Sequence, residues 1–282
     1  MSKALEIEAL LSEKGLITKG ETWEPLPGGQ TNQLWRVGRA VVKSYAQPDG
    51  NPVFPNSPEC EAAVLRALSG RGMSPGFLGQ LRTNKQHFLV YEFLEGKAWA
   101  TDAGQVGKLL RGLHEAPAPA GLRVLPGGSG PVSKRVAGFL EQLPADIVGW
   151  LSKHKPQMAL PASERYVLLH GDPVPGNIVM TPHGARLIDW QCPAVGDAVE
   201  DLAIFLSPAM QWVYRGAALT WDERQAFLQA YRDSAIQQRL EKMQPWYHWA
   251  MTAYCAWKTQ RGAKVYAQAM RLEMTALEQC LN

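Results

Sequence analysis

No two of the four cysteines in this 282-residue chain, Cys60, Cys192, Cys255 and Cys280, stand at the close spacing of a metal-binding knot. Four scattered thiols do not make a disulfide framework either, and they read as the reduced cysteines of a cytoplasmic protein. Long apolar runs are also missing: a stretch such as 202–206 is far short of the ~20 residues that a membrane span requires. The N-terminal MSKALEIEALLSEKGL alternates charged and apolar residues at helical spacing, without the continuous apolar core of a signal peptide. No charge of one sign dominates. With 29 Lys and Arg against 26 Asp and Glu the net charge is +3, too little for a nucleic-acid surface. Internal repeats are absent. The expectation is a soluble globular chain with neither a membrane nor a nucleic acid as partner.

What is present fits that frame. Hydrophobic residues make up 46% and charged residues 20%, enough apolar material for a full core in one domain or two lobes. Residues 24–45 read as strands around two turns: Pro27-Gly28-Gly29, and Gly38-Arg39. A Pro- and Gly-rich loop follows at 48–58, then a helix over 59–68, then a short apolar strand at 88–91. Beyond Asp102 the pattern is mainly helical, over 102–114, 133–154, 221–235 and from Pro245 to the end, interrupted by a strand pair within 166–189. These signals predict an α+β fold of two lobes, a strand-rich one over 1–92 and a larger helical one over 93–282, with a ligand cleft between them.

The most informative segment is 166–203. An apolar run, Tyr166-Val167-Leu168-Leu169, ends abruptly at His170-Gly171-Asp172; Asn177 follows five residues later and Asp189 twelve after that. Segments 177–180 and 185–189 read as arms of a hairpin. A turn centred on His183 sets Asn177 opposite Asp189, at the ~4.5–5.5 Å of strand partners. Two hard oxygen ligands at that separation suit Mg²⁺, which takes few protein ligands and completes its shell with phosphate oxygens and water. Asp172, on a loop shaped by prolines and glycines, is placed to accept the proton of an attacking hydroxyl. Upstream, Lys43 ends an apolar strand and the following helix carries Glu61 and, as its rival, Glu59, the cation and a holder for it that a nucleotide's phosphates require.

The pattern H-G-D-x-x-x-x-N followed by I-D-W resembles the aminoglycoside phosphotransferase and choline kinase superfamily, which shares the protein-kinase fold. The resemblance implies Asp172 as catalytic base, His170 as a brace of the loop, Asn177 and Asp189 as Mg²⁺ ligands, and ATP as phosphoryl donor to a small-molecule hydroxyl acceptor. It implies that Gly28, Gly29, Thr31 and Asn32 form the turn over the phosphates, similar to the G-G-x-[ST]-N turn of choline-kinase-like members. Glu92 and Leu94 fall in the hinge that meets adenine. Asp201 matches the helix-start aspartate that holds the catalytic loop, and Asp197 falls towards the acceptor or else caps the same helix. All the catalytic positions are filled, unlike those of a pseudokinase, and no A-P-E motif of a protein kinase follows Asp189.

For the acceptor, the resemblance favours an amino alcohol such as choline or ethanolamine over an aminoglycoside, thiamine or a sugar. Choline kinases usually carry an acidic or aromatic residue soon after the aromatic neighbour of the metal aspartate; this chain has Gln191-Cys192-Pro193. Beyond Pro245, read as a helix start, Trp246, Trp249 and Trp257 fall on one face around the small Ala253. Such a face is either core or an aromatic cage for a cationic acceptor.

Overall fold

The computed structural model describes residues 3–26, 32–45, 54–84 and 86–281. Helix α1 (Lys3–Glu13) lays its apolar side on an antiparallel sheet of β1 (Trp23–Pro25), β2 (Gln33–Val37), β3 (Ala40–Ser44), β4 (Phe77–Arg82) and β5 (His87–Glu92), in the order β1-β2-β3-β5-β4. β3 lies between β2 and β5 and is buried along its whole length. Alternation sorts its side chains. Ala40 and Val42 pack in a small cluster with Leu11 of α1, while Val41 and Tyr45 join the main core, which runs on into the helical lobe. Helix α2 (Pro58–Leu68) starts on the Ser57 side chain, which accepts from the Cys60 N–H, and its apolar face covers that second side of the sheet.

After β5 the chain changes sheets at once. β6 (Lys97–Ala98) pairs with Val179 and Met180, in the helical lobe, not with its predecessors. Helix α3 (Ala103–Glu115) and strand β7 (Arg123–Leu125) follow. The helix expected over 133–154 is two helices, α4 (Ser129–Leu140) and α5 (Ala145–Lys153). Pro144 separates them, because proline disfavours helical backbone in the residue before it and has no N–H to continue the ladder. Strands β8 (Val167–Leu169), β9 (Ile178–Thr181), β10 (Gly184–Leu187) and β11 (Ala194–Gly196) complete two three-stranded sheets, β10-β9-β6 and β7-β11-β8. Helices α6 (Val199–Leu206), α7 (Pro208–Arg215), α8 (Trp221–Tyr231), α9 (Ser234–Gln260) and α10 (Val265–Leu281) form the rest. Pro245 does not open a helix. It lies inside α9, whose cap is Asp233, accepting from the Ile236 N–H at 3.1 Å. No helix among the described residues is long and apolar enough to cross a membrane.

One buried carboxylate fastens three of these helices. Glu273 of α10 accepts from the Ser207 hydroxyl and the Ala209 N–H at the start of α7, and from His248 Nδ1 of α9 at 2.5 Å. Burial alone would lower the pKa of His248, but Glu273, helped by Cys280, raises it to about 9. A histidine raised above its unfolded value stabilises the fold fully below about pH 6.5 and loses that contribution as pH rises through about 9. The wild-type melting temperature is therefore expected to fall more steeply between pH 7 and pH 10 than that of His248→Gln. Parallel slopes in a thermal-melt series would contradict the charged pair.

Candidate active site

Lys43 sits on the β3 face shared with Val41 and Tyr45, wholly buried. Its Nζ donates to Glu61 Oε2 of α2 at 2.7 Å and to Asp189 Oδ1 across the cleft at 2.5 Å. Burial would lower the ammonium's pKa, but Asp189 and Glu61 together hold it above the ordinary lysine value. Glu61, also buried, is raised above the usual carboxylate range by desolvation, against the pull of Lys43. The Tyr45 hydroxyl donates to the same Glu61 oxygen that Lys43 uses. Tyr45→Phe removes that bond without changing the packed ring. A hydrogen bond to a charged group is worth about 1.5 kcal/mol, so the melting temperature is expected to fall by a few degrees and the nucleotide KM to rise by up to about tenfold. An unaltered KM would mean that Lys43 alone orients Glu61.

The opposite wall is the loop after β8. Gly171, at φ +83°, could not carry a side chain, since a Cβ there would lie 2.3 Å from the Cys192 carbonyl oxygen. The backbone N–H groups of His170 and Gly171 donate to the two oxygens of Asp201 at 2.8 and 2.9 Å. The His114 ring of α3 closes on Asp201 at 3.2 Å and on the Tyr231 hydroxyl of α8 at 2.8 Å. His170 itself is fully buried and its pKa is lowered by desolvation. Its Nε2 donates to the Ile188 carbonyl at 3.0 Å, and its Nδ1 accepts from the Asp172 N–H at 3.3 Å. Neutral and bonded at both nitrogens, it braces the loop.

Asp172 follows, with Oδ2 accepting from Asn177 Nδ2 at 3.2 Å; the same amide nitrogen bonds the Asp172 carbonyl at 2.9 Å. Burial, then the charges of Asp189 and Asp201, raise the Asp172 pKa to about 8, against the Asn177 hydrogen bond and the Lys258 ammonium. The groups around it are phenols. Tyr214 packs on Gly176 of the loop, the Tyr254 ring stands edge-on to Tyr266 at 6.0 Å, and Tyr214 and Tyr266 lie within reach of the Asp172 charge. Lys258 stands over the Tyr266 ring at 5.4 Å.

The hairpin register differs by one from the expected one. Gly184 pairs Thr181 and Leu187 pairs Ile178, so the turn holds two residues, Pro182 and His183, and the N–H of Ile188, not of Asp189, meets the Asn177 carbonyl at 2.9 Å. Asn177 lies on a 3₁₀ turn over Pro175–Asn177 rather than on a strand, and Asp189 adopts φ +61° just past β10. Asn177 turns its Nδ2 to Asp172, which leaves its amide oxygen for a cation. Asp189 keeps one carboxylate oxygen beside the one that holds Lys43. This hard-oxygen pair fits Mg²⁺ with most of its shell supplied by phosphates and water.

Two other expectations, each left with two readings, are decided. Asp197 faces away from the cleft: wholly buried, it accepts from Arg239 Nε at 2.7 Å and from the Val199 N–H, so it caps α6 and pins it to α9. Trp246, Trp249 and Trp257 are buried at 5%, 4% and 5% exposure, and each indole N–H has an acceptor within the fold, respectively the Met158 carbonyl, the Leu151 carbonyl and Gln142 Oε1. Buried tryptophans need such acceptors, and these three are core. Gly28, Gly29 and Thr31 lie outside the described residues. Asn32, buried, donates to Asn56 Oδ1 at 2.9 Å and to Gln191 Oε1 at 3.2 Å, so the residue that departs from the choline-kinase pattern ties the residue before β2 to the loop after Asp189. Glu92 ends β5, where the chain passes between lobes, and Leu94 follows it there. Tyr45 and the phenols at Asp172 were not among the expected site residues. For Tyr45 the signal existed: it stands two residues beyond Lys43 and so shares its strand face.

A buried ammonium on the sheet side and a loop carboxylate on the helical side, with further side-chain oxygens between, suit transfer of a phosphoryl group, and the scaffold is the two-lobed protein-kinase-like fold. A choline/ethanolamine kinase family protein of Mesorhizobium loti aligns over 98% of this chain and 94% of its own, with a TM-score of 0.67 at 17% identity. A spectinomycin phosphotransferase solved with ADP and spectinomycin aligns over 97% and 98%, with a TM-score of 0.64, also at 17% identity. Residues 22–246 match the phosphotransferase enzyme family, and the chain belongs to it as a small-molecule kinase. The probable ketoamine kinase of Thermus thermophilus is 32% identical over 214 residues, covering 70% of this chain and 76% of that protein.

Proposed function

We propose that the chain transfers the terminal phosphoryl of ATP to a sugar hydroxyl of a ketoamine, with the strand-rich lobe (1–92) holding the nucleotide and the helical lobe (93–282) the acceptor. The observation that carries the transfer is Asp172, a loop carboxylate with its pKa raised to about 8 and its own backbone fixed from His170. Asp172 takes the acceptor's hydroxyl proton as the oxygen–phosphorus bond forms; the bond from the γ-phosphorus to the bridging oxygen breaks and ADP leaves. Lys43, held by Glu61, binds phosphate oxygens. Asn177 and Asp189 would hold Mg²⁺, which supplies charge neutralisation at the phosphates.

The ketoamine reading draws on the Thermus relative and on what surrounds the base. Hydroxyls of Tyr214 and Tyr266 suit the hydrogen bonds of a polyol, whereas a quaternary ammonium would share the space with Lys258. The amino-alcohol expectation came from the resemblance, and the tryptophan face that was to cage its cation is core. The test is ATP consumption against 1-deoxy-fructosyl-glycine, choline, ethanolamine, thiamine and kanamycin, with the phosphorylated product isolated. The ketoamine is expected to give the highest kcat/KM, and a higher value for choline would overturn the acceptor assignment.

A further inference from the structure

Helix α9 presents Leu240, Gln244, Tyr247, Met251 and Tyr254 along one stripe, about 21 Å long at 1.5 Å per residue. With α4 and α6 this stripe encloses a cavity of about 70 Å³, room for roughly five water-sized groups. Apolar parts of the remaining wall come from Phe139 of α4 and Ala203, Ile204 and Leu206 of α6, beside the charged Arg135, Glu200, Arg224 and Glu273. Phe54 closes one end, set edge-on to Tyr254 at 5.4 Å. The Tyr254 ring also stands edge-on to Tyr266 at 6.0 Å, and Tyr266 and Tyr214 lie within reach of the Asp172 charge, so the row of phenols that begins beside Asp172 ends on the cavity wall.

The charges around this space are already committed. Arg135 makes a two-pronged pair with Glu200, both bonds 2.9 Å, and His248 is paired with Glu273. At the far end Arg224 donates to Gln244 Oε1 at 3.0 Å. The Tyr247 hydroxyl, buried next to Glu200, makes no hydrogen bond of good geometry.

We propose that this cavity receives the amine-side substituent of the acceptor, and that the enzyme selects ketoamines whose substituent is uncharged and apolar; the proposal rests on the ketoamine reading above. A sugar hydroxyl at Asp172 directs the rest of the molecule along the phenols. An apolar chain of four to six carbons fills about the available space. A cationic chain meets two carboxylates that are already paired and a guanidinium beside them, so it gains no counter-ion for the water it gives up. Each methylene buried here is worth about fourfold in affinity.

The test compares 1-deoxy-fructosyl adducts of isoamylamine, glycine and the lysine ε-amine in steady-state assays with ATP. The isoamyl adduct is expected to exceed both others at least tenfold in kcat/KM, chiefly through KM. Ala203→Phe, which fills the cavity, is expected to shrink that ratio below about threefold, and Ala250→Phe, on the α9 side, gives a second filled variant should the first not fold. Equal kcat/KM across the adducts overturns the subsite and leaves the ketoamine reading standing. Failure to phosphorylate any adduct removes the ketoamine reading, and a direct measurement then decides the subsite. Calorimetry of N-butylglucamine against glucamine on the ADP-bound protein is expected to show at least tenfold tighter binding of the butyl compound, lost in the filled variant. Equal affinity for the two overturns the proposal.

Discussion

Asp172→Asn is expected to lower kcat by ~10²–10⁴-fold, the usual cost of losing a general base, while nucleotide KM stays within about twofold. It is also expected to raise the melting temperature in metal-free buffer at pH 8. The sign follows from linkage. Asp172 has a folded pKa of about 8, raised from 3.8 by burial and by Asp189 and Asp201. It binds its proton more tightly folded than unfolded, so it destabilises the fold progressively as pH rises from about 4 to about 8. An asparagine carries no charge and still meets Asn177. Opposite signs for activity and stability distinguish a catalytic carboxylate from a structural one. A variant with near-wild-type turnover, or one that melts lower at pH 8 than wild type, would remove Asp172 from the role of base.

The second large effect is expected at Asp189. Asp189→Asn should raise the Mg²⁺ concentration for half-maximal activity by at least tenfold and lower kcat by ~10²-fold or more, because a full charge beside the cation is lost. Asn177→Ala, which removes a neutral ligand, is expected to do less. Asparagine is a better probe than alanine at Asp189. The residue sits at φ +61°, where asparagine is several-fold enriched and alanine is strained. The change also leaves Lys43 with Glu61 as its one anionic contact. Superimposable Mg²⁺ titrations for wild type and Asp189→Asn would exclude Asp189 from the metal shell.

The loop that carries Asp172 was legible because its polar residues are compressed into twenty positions, 170–189. A buried strand ends, a glycine reverses the backbone, and His170, Asp172, Asn177 and Asp189 follow at spacings that few purely structural loops need. Lys43 and Glu61 were legible for a related reason, a charged group on an otherwise apolar element. Register was not. Whether the turn holds two residues or three is settled by backbone geometry at Pro182 and His183, and one residue moves Asn177 from facing Asp189 to facing Ile188. The tryptophans misled because helical periodicity reports a shared face without reporting what that face meets. Carbonyls at Leu151 and Met158, nearly a hundred residues upstream, satisfy two of the indoles, and no local pattern carries that pairing. Asp197 was ambiguous until Arg239, 42 residues on, supplied its partner.

The contact between Lys43 and Asp189 has a further consequence, for how long product stays bound. The ammonium that would grip the phosphates is also held by a carboxylate that would grip the metal. An incoming metal–nucleotide must part the two, and the work of parting them is subtracted from its affinity. The same contact re-forms whenever the nucleotide leaves, so the pair draws the emptied cleft back to its starting arrangement. A site held together too weakly without ligand would retain ADP to stay ordered. Here Asp189 stands ready to take the place of the departing charges on Lys43, which favours release of product, a step that limits turnover in many enzymes.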